Sequence, residues 1–245
     1  MSASRRAAAV PEVRALTFDV FGTVVDWRSS IIREGEALGR AKSIRHVDWA
    51  KFADAWRGLY QPQLERVRSG VMPWMKLDDL HRQSLDRLLA DFGITGLNEA
   101  EIDELNRVWH RLDPWPDAVP GLVRLKRTFI LATLSNGNVA LIVNMARRAG
   151  LPWDAVLGAE VARHYKPQPA TYMVTAEMLG LRSEQCLMVA AHNGDLAAAS
   201  GIGFRTAFVH RRTEYGPAQT KDLSPTSRWD VVAEDFLDLA DQLGC

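Results

Sequence analysis

Short clusters along the chain combine residue types that can do nucleophilic chemistry together. Asp19 and Thr23 bracket Gly22, Ser135 and Asn136 precede Gly137, Lys166-Pro167 stands ahead of Tyr172, and His192-Asn193 leads to Asp195. A carboxylate can attack an electrophile and form a covalent ester. A lysine nearby favours the ionised form of that carboxylate. Hydroxyl, amide and backbone N–H groups can hold a substrate anion, and a further carboxylate can handle a water. Singly, each cluster has a plainer reading. An Asp after a strand is usually a turn or cap residue, Ser-Asn-Gly is usually a turn into a helix, and Lys-Pro is usually a solvated charge before a helix. Their order along the chain is more informative than any one of them.

The elements that must position these residues follow from the apolar pattern. Residues 13–19 are short, apolar and strand-forming, and they end at Asp19 before a turn at Gly22. From Ser29 to Arg111 the pattern is helical, with Leu38, Trp49, Phe52, Trp56, Leu59, Leu64, Leu77, Leu80, Leu85, Leu88, Leu105 and Trp109 recurring at helical spacings. After Pro114-Trp115-Pro116 strands and helices alternate. Strands are expected at 129–134, 155–157, 186–191 and 205–209, and helices at 119–126, 139–149, 169–179 and 196–200. The stretch after Arg211, including Thr213-Glu214-Tyr215-Gly216-Pro217, reads as an ordered loop before a last helix at 233–243.

This order predicts an α/β fold: a Rossmann-like parallel sheet core with an inserted α-helical cap domain. The expected division is a core of residues 1–26 and 115–245 and a cap of residues 27–114. The cap should cover the carboxyl edge of the sheet, where open α/β sheets bind ligands and where each polar cluster emerges.

Composition narrows the class. Apolar residues make up 47% and charged residues 24%, as in ordinary globular proteins, and the 30 basic and 30 acidic residues cancel. No basic patch suggests nucleic acid, and no run is long enough to cross a bilayer. The two cysteines, Cys186 and Cys245, form neither a disulfide framework nor a metal-ligand spacing. Residues 1–10 read as a frayed leader rather than a signal peptide. A cytoplasmic protein acting on a small molecule is expected.

The sequence Asp19-Val20-Phe21-Gly22-Thr23, followed in order by Ser135, Lys166 and Asp195, resembles the signature of the haloacid dehalogenase superfamily. The resemblance runs from about Val13 to Val209 and implies Asp19 as the nucleophile. Most of that superfamily are magnesium-dependent phosphatases, which need a second Asp two positions after the first to protonate the leaving alkoxide. Here that position is Phe21, and Ala191 stands where such enzymes place a metal-binding carboxylate. Halide is a weak base that leaves carbon without a proton, so both losses fit a carbon–halide substrate. The chain is similar to the L-2-haloacid dehalogenase branch, as are its Trp56-Arg57 and its Lys166-Pro167 with Tyr172.

That resemblance implies attack by Asp19 on a small 2-halocarboxylic acid, an aspartyl ester, and hydrolysis to 2-hydroxy acid and halide with no metal or other cofactor. It implies that Thr23 orients Asp19 and that Lys166 keeps it ionised. Ser135 and the N–H groups at Val20 and Phe21 would hold the substrate carboxylate, and Arg57 and Asn136 would receive halide. Asp195 with Lys166 would position the hydrolytic water, supported by Tyr172. A homodimer is common among such relatives.

The chain departs from better-known members at Ala190, where they carry Ser, and at His192, where they carry Asn. His192 can be read as a halide donor, a second base or a helix cap. As a halide donor it would favour small fluorinated acids such as fluoroacetate. The competing functions are a phosphatase with a rebuilt metal site and a non-catalytic small-acid binder.

Overall fold

A computed structural model describes residues 13–245. The leader read at residues 1–10 and the beginning of the expected core segment lie outside the described residues.

The chain opens with β1 (Ala15–Phe18) and the short β2 (Val25–Asp26). A helical block follows, made of α1 (Trp27–Lys42), α2 (Trp49–Arg68), α3 (Leu77–Asp91), α4 (Glu99–Asn106) and a 3-10 turn at Arg107–Arg111. Strand β3 (Asp113–Pro114) returns to pair with β2 antiparallel, closing a small neck beneath the block. The remainder alternates: α5 (Ala118–Leu125), β4 (Ile130–Ser135), α6 (Val139–Ala149), β5 (Ala155–Gly158), α7 (Ala159–Ala162), α8 (Pro169–Met178), β6 (Cys186–Ala190), α9 (Asn193–Ser200), β7 (Arg205–Val209), β8 (Val231–Ala233) and α10 (Phe236–Leu243).

Six strands form one parallel sheet in the order β5-β4-β1-β6-β7-β8. Helices cover both faces, which is why β1 and β6 are buried at every residue and apolar except at Thr17. The chain winds outward from β1 through β4 and β5, then crosses back to place β6 on the other side of β1. That reversal opens a crevice at the carboxyl end of β1, where Asp19 emerges. Two details differ from the sequence reading. α9 starts at Asn193 rather than Leu196, and β8 lies where a loop was expected. β8 is an edge strand of 3 residues with Val232 exposed, too short to show a period.

The helical block has its own aromatic interior. Trp56 is fully buried, with Phe52 and Trp109 edge-on to it at ring-centroid distances of 5.7 and 5.5 Å. Truncating a tryptophan buried in this way costs about 3–5 kcal/mol. This packing fixes the rotation of α2 and points its other face, with Arg57, Tyr60, Gln61 and Arg68, into the crevice. Those positions recur every three to four residues or at whole turns, so they share one helical face. Arg68 NH1 donates to the carbonyl of Lys166 at 2.8 Å, and Asn136 Nδ2 donates to the Tyr60 hydroxyl at 3.0 Å. Both bonds tie the block to loops at the sheet edge.

Gly22 makes the tight turn after Asp19. Its φ of +87° lies in the left-handed region that favours glycine, and a Cβ there would stand 2.1 Å from Glu214 Oε1.

Candidate active site

Asp19 leaves β1 while still held by the sheet, its N–H donating to the carbonyl of Val189 at 3.0 Å. Thr23, one turn further on, donates its hydroxyl to Asp19 Oδ2 at 2.8 Å and accepts the N–H of Ala191 at 2.9 Å. Lys166 arrives from the loop before α8, with its own N–H fixed on Asn136 Oδ1 at 2.8 Å. Its ammonium donates to Asp19 Oδ1 at 2.9 Å and also to Asp195. The Tyr172 hydroxyl donates to the other oxygen of Asp195 at 2.6 Å.

The opposite side of Asp19 is closed by His192. Its Nδ1 lies 3.0 Å from Asp19 Oδ2 and its Nε2 lies 2.8 Å from Glu214 Oε2. Glu214 is 1% exposed, and its other oxygen accepts the indole N–H of Trp27 at 3.0 Å, with Arg57 NH2 3.8 Å away. The loop carrying Glu214 is fastened by buried Arg211. That guanidinium donates to both oxygens of Asp117, at 2.7 and 2.8 Å, and to the carbonyl of Thr23.

Three carboxylates and three cations thus interleave in a buried site, each charge meeting an opposite one, as buried charges require. Burial works to raise the Asp19 carboxyl, but Lys166 and then His192 outweigh it and hold Asp19 well below the usual carboxylate range. For Lys166, burial works downward and is overcome by Asp19 and Asp195, so the ammonium is stabilised. Asp195 moves the other way: burial pushes it up, and Asp19 adds to the rise against the pull of Lys166. For His192, burial is outweighed by Glu214 and Asp19, and the imidazole sits well above its ordinary value. An ionised nucleophile beside a more basic second carboxylate is a division of labour suited to attack followed by hydrolysis.

These groups line a cavity of about 440 Å³, with Phe21, Arg57, Tyr60, Asn136 and Tyr215 among its walls. Arg57 lies over the Tyr60 ring at 4.3 Å and the Trp27 ring at 5.4 Å. Its NH1 is buried and has no hydrogen-bond partner among the described residues. The guanidinium as a whole borders the cavity, and a cation there is suited to an anion.

The structure brings Asp19, Phe21, Arg57, Asn136, Lys166, Tyr172, His192 and Asp195 together at this cavity, with Thr23 directly behind Asp19. Val20 and Ser135 are fully buried and do not line it. Ser135 Oγ accepts the N–H of Gly137 at 3.0 Å, a contact within its own turn. The loop bonds Gly22 N–H to Val25 O and Val25 N–H to Val20 O use neither the Val20 nor the Phe21 N–H. His192 stands at the N-cap position of α9, where its carbonyl accepts the N–H groups of Asp195 and Leu196. Its side chain makes no cap bond to α9, and both ring nitrogens face carboxylates, so no ring N–H is free for halide.

Sequence reasoning missed Tyr60 and Glu214. Tyr60 had a signal, since it shares a helical face with Arg57. Glu214 had none beyond its place in a polar loop after a strand.

The magnesium that phosphatases of the resembling superfamily use does not fit here. Phe21 and Ala191 stand where such enzymes place carboxylates, and neither supplies a ligand. Among the described residues no group of three or more His, Cys, Asp and Glu is placed to hold a metal.

Comparison with known proteins agrees with this geometry. The family model of haloacid dehalogenase-like hydrolases matches residues 13–203. The chain is 30% identical over 210 residues to an (S)-2-haloacid dehalogenase of Xanthobacter autotrophicus, covering 82% of this chain and 77% of that one. The structure of a defluorinating L-2-haloacid dehalogenase superposes with a TM-score of 0.92 at 48% identity, over 95% of this chain and 96% of that one. A second L-2-haloacid dehalogenase structure gives a TM-score of 0.92 at 47% identity, over 95% and 99% of the two chains.

Proposed function

The chain belongs to the haloacid dehalogenase-like hydrolase family, and we propose that it is a hydrolytic dehalogenase of small (S)-2-halocarboxylic acids, working through an ester on Asp19. The observation that carries this reading is Phe21 at the cavity wall beside Asp19, where a phosphatase needs a proton-donating carboxyl, with Ala191 in place of a metal-binding carboxylate. Lys166, bonded to both Asp19 and Asp195, leaves Asp19 ionised for attack on carbon.

In the first half-reaction Asp19 attacks the carbon bearing the halogen from the side opposite the leaving group, and the carbon–halogen bond breaks as the carbon–oxygen bond forms. Arg57, whose guanidinium borders the cavity, receives the halide. The N–H of Phe21, which stands at the cavity wall and has no partner among the described residues, is suited to the substrate carboxylate. In the second half-reaction Asp195, the more basic carboxylate, takes a proton from water as it adds to the ester carbonyl. Residues 27–114 serve as a cap that closes this reaction off from bulk water. Two free cysteines support a cytoplasmic setting, and among the described residues no helix is long and apolar enough to cross a membrane. The relative described as defluorinating, at 48% identity, supports extending the substrates to fluoroacetate.

The test is a single turnover of (S)-2-chloropropionate in ¹⁸O-water containing EDTA. Chloride should be released at full rate, with label entering Asp19 and unlabelled oxygen in the first product. Label found only in the product hydroxyl would rule out the ester, and a large loss restored by Mg²⁺ would return the phosphatase reading.

A further inference from the structure

We propose that His192, braced by Glu214, joins Thr23 as the oxyanion-stabilising pair for hydrolysis of the Asp19 ester. The proposal rests on the dehalogenase reading above and assigns its second half-reaction.

The two oxygens of Asp19 are not equivalent. Oδ1 accepts one donor, Lys166 Nζ at 2.9 Å. Oδ2 accepts two, Thr23 Oγ1 at 2.8 Å and His192 Nδ1 at 3.0 Å. An oxygen must give up hydrogen bonds to attack carbon, so the less encumbered Oδ1 is the nucleophile. Oδ2 then becomes the ester carbonyl, already seated on two donors. When water adds to Cγ, the carbonyl electron pair moves onto Oδ2, and charge develops at the atom those donors face. Donors in place before the charge appears are what makes such a site effective.

Glu214 decides what His192 can do there. A ring held between two carboxylates must present N–H from both nitrogens, which only the imidazolium does. Formation of the ester removes the Asp19 charge, and Glu214 remains as the carboxylate that keeps the second proton on the ring. Glu214 is itself locked by the Trp27 indole at 3.0 Å, so the imidazole has little freedom to rotate. The charged groups around the ring are Asp19 and Glu214 in contact, with Lys166 beyond Asp19 and Arg57 beyond Glu214.

The step balances. The water oxygen bonds to Cγ and one water proton passes to Asp195. Collapse restores the Cγ=Oδ2 double bond and breaks Cγ–Oδ1, so Oδ1 departs on the 2-hydroxy acid. Lys166, bonded to both Oδ1 and Asp195, gives Oδ1 its proton and regains one from Asp195. The hydroxyl left on Cγ ionises, which accounts for the single proton released with halide. His192 and Thr23 keep their protons throughout.

The experiment separates the two half-reactions. Enzyme is mixed with excess (S)-2-chloropropionate, and chloride, lactate and the mass of the Asp19 peptide are followed. In Glu214→Gln, chloride should appear as a burst of one equivalent at a rate within a few-fold of wild type. Turnover should then slow about 10²-fold, the range expected on weakening an oxyanion donor, with the ester accumulating on Asp19. His192→Asn, which keeps an uncharged donor, should give the same split and lose the alkaline limb of the hydrolysis rate. Equal losses in both phases for either variant would make the pair a mere prop for Asp19 and overturn the proposal. So would an unchanged alkaline limb in His192→Asn. Wild type releasing no chloride from any 2-halo acid would instead bring down the dehalogenase reading itself.

Discussion

The two flanks of Asp19 are built differently. On the Oδ1 side stand Lys166 from the loop before α8, Tyr172 from α8 and Asp195 from the first turn of α9, bonded in one chain. On the Oδ2 side stand Thr23, His192 and Glu214, with Glu214 brought from the loop after β7 and braced by Trp27 at the start of α1. The first flank shares protons between groups of opposite tendency: Lys166 is raised by its carboxylates and Asp195 is raised by burial and Asp19. The second flank holds protons still. Moving protons requires groups that can exchange them, and stabilising charge requires donors that do not let go. One nucleophile therefore carries two environments, one for each of its oxygens.

The strongest way to break this comparison is to remove the shared cation. Lys166→Ala leaves Asp19 and Asp195 facing each other without compensation, which should raise the Asp19 carboxyl and cost about 10³-fold or more in first-turnover chloride release. If His192→Asn slowed that first release as much, the flanks would not be distinct. A smaller effect is expected at the halide. Arg57→Gln keeps an amide donor over Tyr60 but loses the charge, and should lower kcat/KM about 10–100-fold, with fluoroacetate suffering more than chloroacetate because fluoride accepts hydrogen bonds more strongly. Equal losses on the two acids, measured by ion chromatography, would place the departing halide elsewhere.

The smallest effect is on stability, and its sign differs between the flanks. His192 gains its proton-holding partners on folding, so its contribution is whole below its ordinary value near 6.5 and is lost as pH rises through the raised folded value. Asp19 is lowered on folding, so its contribution is whole above its ordinary value and is lost as pH falls through the lowered one. Thermal unfolding from neutral to alkaline pH should therefore show a decline that begins closer to neutrality in Glu214→Gln than in wild type. Coincident curves would detach Glu214 from the charge on His192.

Legibility in the sequence divides along the same line. Asp19, Lys166 and Asp195 could be read because each follows a strand end in a parallel sheet, and the topology of such sheets brings all carboxyl ends to one edge. The helical block was equally plain, since Trp56, Leu64, Leu80 and Trp109 recur at helical spacing and are buried. Glu214 could not be read, because a loop residue declares no partner until Arg211 ties that loop to Asp117. His192 was read with three roles open because its neighbours in sequence differ from its neighbours in space. Ser135, expected at the substrate from its place at the end of β4, is fully buried and accepts the Gly137 N–H of its own turn. Local pattern specifies which end of the sheet a side chain reaches, and only packing specifies what it meets there.

The turn at Gly22 sets an order on how this site can change. The carboxylate of Glu214 occupies the space a side chain at position 22 would need, while the φ of +87° demands glycine on its own account. A lineage that shortened Glu214 could regain it later, because the seat would still be empty. A lineage that first acquired a side chain at position 22 would pay backbone strain of about 1–3 kcal/mol and close the seat together. Glycine at this position thus acts as a one-way gate, and the imidazole–carboxylate pair can come and go only while it stands.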